Sequence, residues 1–282
     1  MVATVEKENL ERLVDELPAF PQSVQLVLNM TSDANCDPRE LVRVVEHDPV
    51  LTGRVLKVVN SAYFGLSTQI ASVKHAVVYI GLNTIKHLAL SIAAVGSLPK
   101  ANNDGVSTDS FLLDSLAVGA VARILASRCG FTVRQSDDFF VAGLVHNIGE
   151  LVLSLNHPEL VRSVRQRAKT ESRPMFDVEK EIFAVTHFEV SAMVAHKWQM
   201  PEDIVHALKY YRKSPPDVDR TPMMDCLLAA KILVRSLDPM APEMRFPTGL
   251  SQRLGFRLDQ LLMERQHFET AIEKVKVFME VA

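Results

Sequence analysis

The chain has 282 residues, of which 48% are hydrophobic and 23% charged, a balance that suits a packed protein and excludes a disordered one. Lys and Arg number 31 against 34 Asp and Glu, a net charge of -3, so the bulk charge gives no pull toward nucleic acid or anionic lipid. Aromatic residues make up only 6%, and a core filled mainly by Leu, Val, Ala and Met favours helix over sheet.

Helix punctuation is dense along the first hundred residues. Pro21 opens Gln22 to Met30, with Val24, Leu26, Val27 and Leu28 as an apolar face. Asp37, Pro38 and Glu40 have the form of a capping box. Asp48-Pro49 repeats the device and opens Val50 to Val59. Ser72 caps a helix to Ile80, and Asn83 caps another to about Leu98. The polar, turn-rich segment Pro99 to Thr108 marks a boundary between residues 1–103 and 104–282.

A long helix is expected from Asp109 to Arg128, ending at Gly130. Ser136-Asp137-Asp138 then caps one continuous helix to Leu155. Further helices fit Pro158 to Lys169, Pro174 to Ala184, Phe188 to Trp198, Glu202 to Arg212 and Thr221 to Leu237, with Leu258 to Met279 closing the chain. That last helix packs into the core by default, although its apolar face also suits a homodimer contact. No stretch alternates apolar and polar residues for long enough to argue a strand. The expected architecture is all-α, in two helical subdomains.

Cys36, Cys129 and Cys226 are far apart in the sequence and form no CxxC pair, so no disulfide framework is expected and the compartment is read as reducing. The N-terminal residues are charged where a signal peptide would carry its apolar core. Leu88 to Leu98 reads as the longest apolar stretch and is too short to span a bilayer. A cytoplasmic location without membrane contact is expected.

Glycine-rich phosphate loops, GxSxG and HExxH are absent, which argues against nucleotide-dependent and common hydrolytic sites. Histidine is the remaining lead, and His146 stands out among the nine. It lies in Ala142-Gly-Leu-Val-His-Asn-Ile-Gly-Glu-Leu-Val, an apolar segment with Gly143 and Gly149 on either side. A buried imidazole needs a hydrogen-bond partner or a metal, because an unsatisfied polar group costs roughly 1–3 kcal/mol there. The small glycines would let another helix or a ligand approach closely.

The segment GLVHNIGELVL resembles the GLLHDIGK segment of the HD superfamily of metal-dependent phosphohydrolases. Leu17-Pro18 with Pro21, HDPVLTGRVLKVVNSAYFG from His47 to Gly65, Tyr79-Ile80-Gly81-Leu82, and His187-Phe-Glu-Val with His196-Lys-Trp-Gln-Met-Pro-Glu-Asp-Ile extend the pattern. Together they resemble the HD-related output domain, HDOD, over about Leu17 to Leu237. The resemblance implies a bacterial signal-output module that acts through protein contacts with signalling proteins. The alternative it implies is an HD-type metal-dependent phosphohydrolase or phosphodiesterase with an altered ligand set.

An HD metal site would need several His and Asp ligands around one or two divalent ions that polarise a phosphoryl oxygen and generate hydroxide. Carried over residue by residue, the first ligand His falls on Asp114 and the His of the pair on His146, but its Asp is Asn147. A later His falls on His187, and a His-His pair falls on Tyr210-Tyr211. The final Asp falls near Lys231, with Asp225 one and a half turns away. Asp114, His146, Asn147 and His187 are therefore read as vestigial ligand positions, with no catalytic residue, cofactor or metal expected, and one divalent ion as the alternative. On the plain structural reading, His146 bonds to Asp114 or a backbone carbonyl and Asn147 satisfies a helix end.

Two other features carry weight. Arg162, Arg165, Arg167, Lys169 and Arg173 form a basic run without interleaved aromatics, which reads as a solvated face rather than a nucleic-acid site. Val59-Asn-Ser-Ala-Tyr-Phe-Gly reads as a packed turn, with a docking surface as the alternative.

Overall fold

The computed structural model describes residues 37–61, 66–82, 108–212, 218–240 and 244–276, with a few isolated positions between 14 and 92. The expected subdomain boundary at residues 103–104 lies outside the described residues, and so does Cys36. Every regular element among the described residues is a helix, so the fold is all-α.

Three helices form the first cluster: α1 (Pro38–Glu46), α2 (Pro49–Val59) and α3 (Val73–Ile80). Their starts follow from local chemistry. The Asp37 carboxylate accepts from Arg39 N–H at 2.8 Å, Asp48 accepts from Val50 and Leu51 N–H, and Ser72 Oγ accepts from His75 N–H. Leu41, Val45, Val55, Val58, Val59, Val73 and Ala76 meet as its buried centre. Asn60, in the Val59 to Gly65 motif, pins the connection after α2. Its side chain accepts from Ile70 N–H at 2.7 Å and donates to Ile70 O at 2.8 Å. Of the expected Gln22 to Met30 helix only Leu26 and Val27 are described; both are helical, but Leu26 is exposed rather than inward.

The second cluster is built on α4 (Thr108–Arg128), with α5 (Val133–Val145), α6 (Ile148–Asn156), α7 (Pro158–Thr170), α8 (Met175–Phe183), α9 (His187–Lys197), α10 (Glu202–Tyr210) and α11 (Pro222–Leu237) around it. Three short helices, α12 (Leu250–Leu254), α13 (Leu258–Met263) and α14 (Arg265–Val275), complete it. Helix α4 packs against α5, α11 and α14. A Cβ built on Gly143 would lie 2.5 Å from Gly119 Cα, so α4 and α5 cross with their backbones in contact.

Segments Ser110–Arg128 and Gln135–Asn156 are long and apolar enough to cross a membrane by length and composition. Here they are core helices, 67% and 83% buried within the protein.

Three helix boundaries differ from expectation. Helix α5 starts a turn earlier than Ser136, at a capping box of Thr132 and Gln135, because Asp137 is buried and pairs with Arg123 at 2.8 Å. The helix expected to run unbroken to Leu155 stops at His146 and restarts at Ile148. The closing helix is likewise interrupted at Glu264, whose carboxylate takes the Arg128 guanidinium at the end of α4. One juxtaposition was invisible in the spacing: Cys129 Sγ and Cys226 Sγ lie 4.0 Å apart.

Candidate functional site

Helix α4 carries Asp114, the α5–α6 turn carries His146 and Asn147, α9 carries His187, and α11 carries Lys231. The α5–α6 break frees one carbonyl and one N–H, and Ser191 on α9 satisfies both. Its hydroxyl donates to His146 O at 3.1 Å and accepts from Gly149 N–H at 2.9 Å. A Cβ on Gly149 would meet His187 O at 2.1 Å and Ser191 N at 2.6 Å. Of the two approaches expected at the glycines, the structure shows that of a helix: α6 lies directly on α9.

His146 is fully buried. Its Nδ1 sits 2.7 Å from Gly143 O; a carbonyl only accepts, so Nδ1 carries the proton and Nε2 a lone pair. Among the described residues Nε2 has no hydrogen-bond partner, and it lies 3.9 Å from Asp114 Oδ2, beyond hydrogen-bond range. Burial, reinforced by the Lys231 ammonium, pushes the imidazole down to about 3 against the opposing pull of Asp114, so His146 is neutral.

Lys231 holds Asp114. Its Nζ donates to Asp114 Oδ2 at 2.5 Å. Burial works to raise the Asp114 carboxyl, but Lys231, helped by His146 and Arg235, brings it below its usual value. The pair opens onto a groove of about 460 Å³ between α4, α11 and α14, which Arg235, Glu273 and Lys276 also line. Asp225, the other position considered for a final Asp, is taken up elsewhere: it is buried and clamped by Arg220 and Arg253.

The remaining positions turn away from His146. Asn147 occupies the N-cap of α6 but makes no capping bond; its amide donates to Glu150 Oε2 at 2.5 Å. Arg165 donates to the other Glu150 oxygen at 2.8 Å. Burial would raise Glu150, yet His187, Arg165 and Asn147 together lower it. His187 Nδ1 lies 2.7 Å from the buried Glu179 carboxylate, which also accepts the His187 backbone N–H at 2.9 Å. The two tyrosines separate. Tyr211 is buried edge-on to both His146 and Phe188, its phenol pushed up by burial, whereas Tyr210 meets His206 edge-on and lies under the Lys209 ammonium. Consecutive helical residues point about 100° apart, so only one of such a pair can face the site.

These donors do not fit a divalent metal. Among the described residues no three His, Cys, Asp or Glu side chains converge as a possible cage. His146 offers one lone pair, but the nearest carboxylate oxygen carries an ammonium, and Asn147 and His187 are each committed to a glutamate.

Sequence reasoning passed over Glu179, Glu150 and Ser191. Glu179 had a signal: it precedes Ile182 and Phe183 by three and four residues, on the buried stripe of α8. Four of the five cations of the basic run are paired with neighbours. Arg162 pairs with Glu159, Arg165 with Glu150, and Arg167 and Arg173 each with both Glu171 and Glu181.

A family model described as the HDOD domain matches residues 17–214. The fold is shared with a candidate phosphohydrolase from Shewanella amazonensis SB2B, at a TM-score of 0.77 and 22% identity over 97% of this chain and 98% of that one. It is shared too with an HDOD domain protein of unknown function from Geobacter sulfurreducens, at 0.74 and 23% identity over 98% and 99% of the two chains. A candidate signal transduction protein from Marinobacter aquaeolei VT8 aligns at 0.75 and 22% identity, over 99% of this chain but 61% of its own. An uncharacterised Treponema pallidum protein is 23% identical over 88% of this chain, which spans 48% of that relative's length.

Proposed function

The chain belongs to the HDOD family, and on that premise we propose that it is a non-catalytic bacterial signal-output module, working in the cytoplasm through contacts with signalling proteins. The observation that carries this reading is the ammonium of Lys231 on Asp114, beside the lone pair of His146. A hydrolytic metal centre would need a divalent cation among anionic and imidazole ligands. Here a lysine supplies the positive charge, and the neighbouring positions Asn147 and His187 are each taken up by a glutamate, Glu150 and Glu179. The paired arginines of the run Arg162 to Arg173 and the net charge of -3 support protein rather than nucleic-acid partners.

One observation favours a second reading. The unpartnered His146 Nε2 is in the tautomer that a metal would require, which suits a phosphohydrolase holding one divalent ion with an altered ligand set. Metal content of protein purified without chelator, measured by mass spectrometry alongside phosphodiester hydrolysis with added manganese or iron, separates the two. The module reading expects substoichiometric metal and no turnover. Stoichiometric metal with turnover lost in His146→Ala or His187→Ala establishes the hydrolase instead.

A further inference from the structure

Cys129 and Cys226 stand 97 positions apart in the chain, yet their sulfurs lie 4.0 Å from one another. Cys129 follows the last residue of α4, its N–H still donating to Leu125 O at 3.0 Å, and Gly130 beyond it turns the chain at a φ of +88°. Cys226 is fixed in the second turn of α11. Their exposure is unequal: Cys129 is partly accessible and Cys226 fully buried. A disulfide needs the sulfurs at about 2.0 Å, so the pair must close by about 2 Å.

We propose that Cys129 and Cys226 form a reversible dithiol–disulfide couple, a modification site whose oxidant is a low-molecular-weight disulfide. Cys129 is the entry thiol, because of the two residues it alone is partly open to solvent. The hydrogen bond from Cys226 also holds Cys129 below its usual value, whereas that bond and burial push Cys226 up. The neighbouring negative charges are already compensated: Arg220 and Arg253 neutralise Asp225, and Arg128 neutralises Glu264.

The Cys129 thiolate, its proton given to water, attacks one sulfur of the reagent disulfide and releases the first reagent thiol. Cys226 then attacks Cys129 in the mixed disulfide, and its proton leaves with the second reagent thiol. Two protein thiols are oxidised and one reagent disulfide is reduced to two thiols, so the electrons balance. The product staples the end of α4 to α11, the two helices that carry Asp114 and Lys231, and closes a loop containing α5 to α10.

The test treats the full chain with oxidised glutathione, blocks free thiols, and maps peptides by mass spectrometry without reductant. The expected product is a Cys129–Cys226 cross-linked peptide, reversed by dithiothreitol, in protein with a raised thermal midpoint. Cys226→Ser should stop at glutathione on Cys129. Cys129→Ser, a change at the accessible partner that keeps the buried one, should lose the cross-link and leave Cys226 unmodified. Wild-type protein that accumulates glutathione on Cys129 without the cross-link, or that leaves both cysteines unreacted, overturns the proposal.

Discussion

Lys231 Nζ donates to Asp114 Oδ2 across 2.5 Å, tying α11 to α4 at the edge of the buried His146 imidazole. About a third of each side chain reaches solvent, so water screens the pair. Lys231→Met should therefore cost about 1 kcal/mol in urea denaturation, mostly from leaving Asp114 without its donor. Replacing both, Lys231→Met with Asp114→Leu, should recover part of that loss because no charge is left unpaired. A double variant no more stable than Lys231→Met alone contradicts this.

Gly149 sets the approach of α6 to α9. An added Cβ meets backbone atoms, His187 O at 2.1 Å and Ser191 N at 2.6 Å, which cannot rotate aside. Gly149→Ala should destabilise by about 3 kcal/mol or more, through overpacking and loss of the Ser191 bridge. The control is Gly53→Ala on α2, where nothing lies within 4 Å of the new methyl. That change should stabilise by roughly 0.5–1 kcal/mol through helix propensity alone. Thermal midpoints moving in the same direction for both would refute the contrast.

The contrast between local and distant causes also separates what the sequence could reveal from what it could not. Asp37, Asp48 and Ser72 cap helices through N–H groups two or three residues away, so the cap and its consequence sit in one short window. The break between His146 and Ile148 has no glycine or proline at the break itself, and both sides are apolar. It exists because Ser191, some 45 positions later, takes up the backbone groups that the break exposes. Asp114, His146 and Lys231 could be placed by resemblance, but the residues that hold Asn147 and His187 could not. Glu150 resembles an ordinary surface acid until α7 packs over it, and the place of Glu179 on the buried stripe of α8 does not say that α9 brings His187 to it. The cysteine pair is the same case: wide spacing in the chain says nothing about sulfurs brought together by α4 and α11.

His146 gives stability a pH dependence. It titrates at about 3 in the folded chain against 6.5 for the free imidazole, so between those values the unfolded chain binds more protons. The contribution of neutral His146 is complete above about pH 6.5 and is lost progressively as the pH falls toward about 3. The slope reaches up to about 1.4 kcal/mol per pH unit. Urea midpoints measured from about pH 7 down to about pH 4 should fall more steeply for wild type than for His146→Gln, which has no titrating group there. Parallel slopes would show that His146 is not held neutral by the fold.

The central claim is that Lys231 supplies the positive charge in front of Asp114 and His146, and that this arrangement leaves no metal centre. The most direct measurement is the thermal unfolding midpoint of chelator-treated protein titrated with manganese, iron or zinc ions. A ligand that binds only the folded state raises the midpoint with its concentration. The account predicts a midpoint unchanged by metal in the wild type. A saturable, one-to-one stabilisation that disappears in His146→Ala would contradict it.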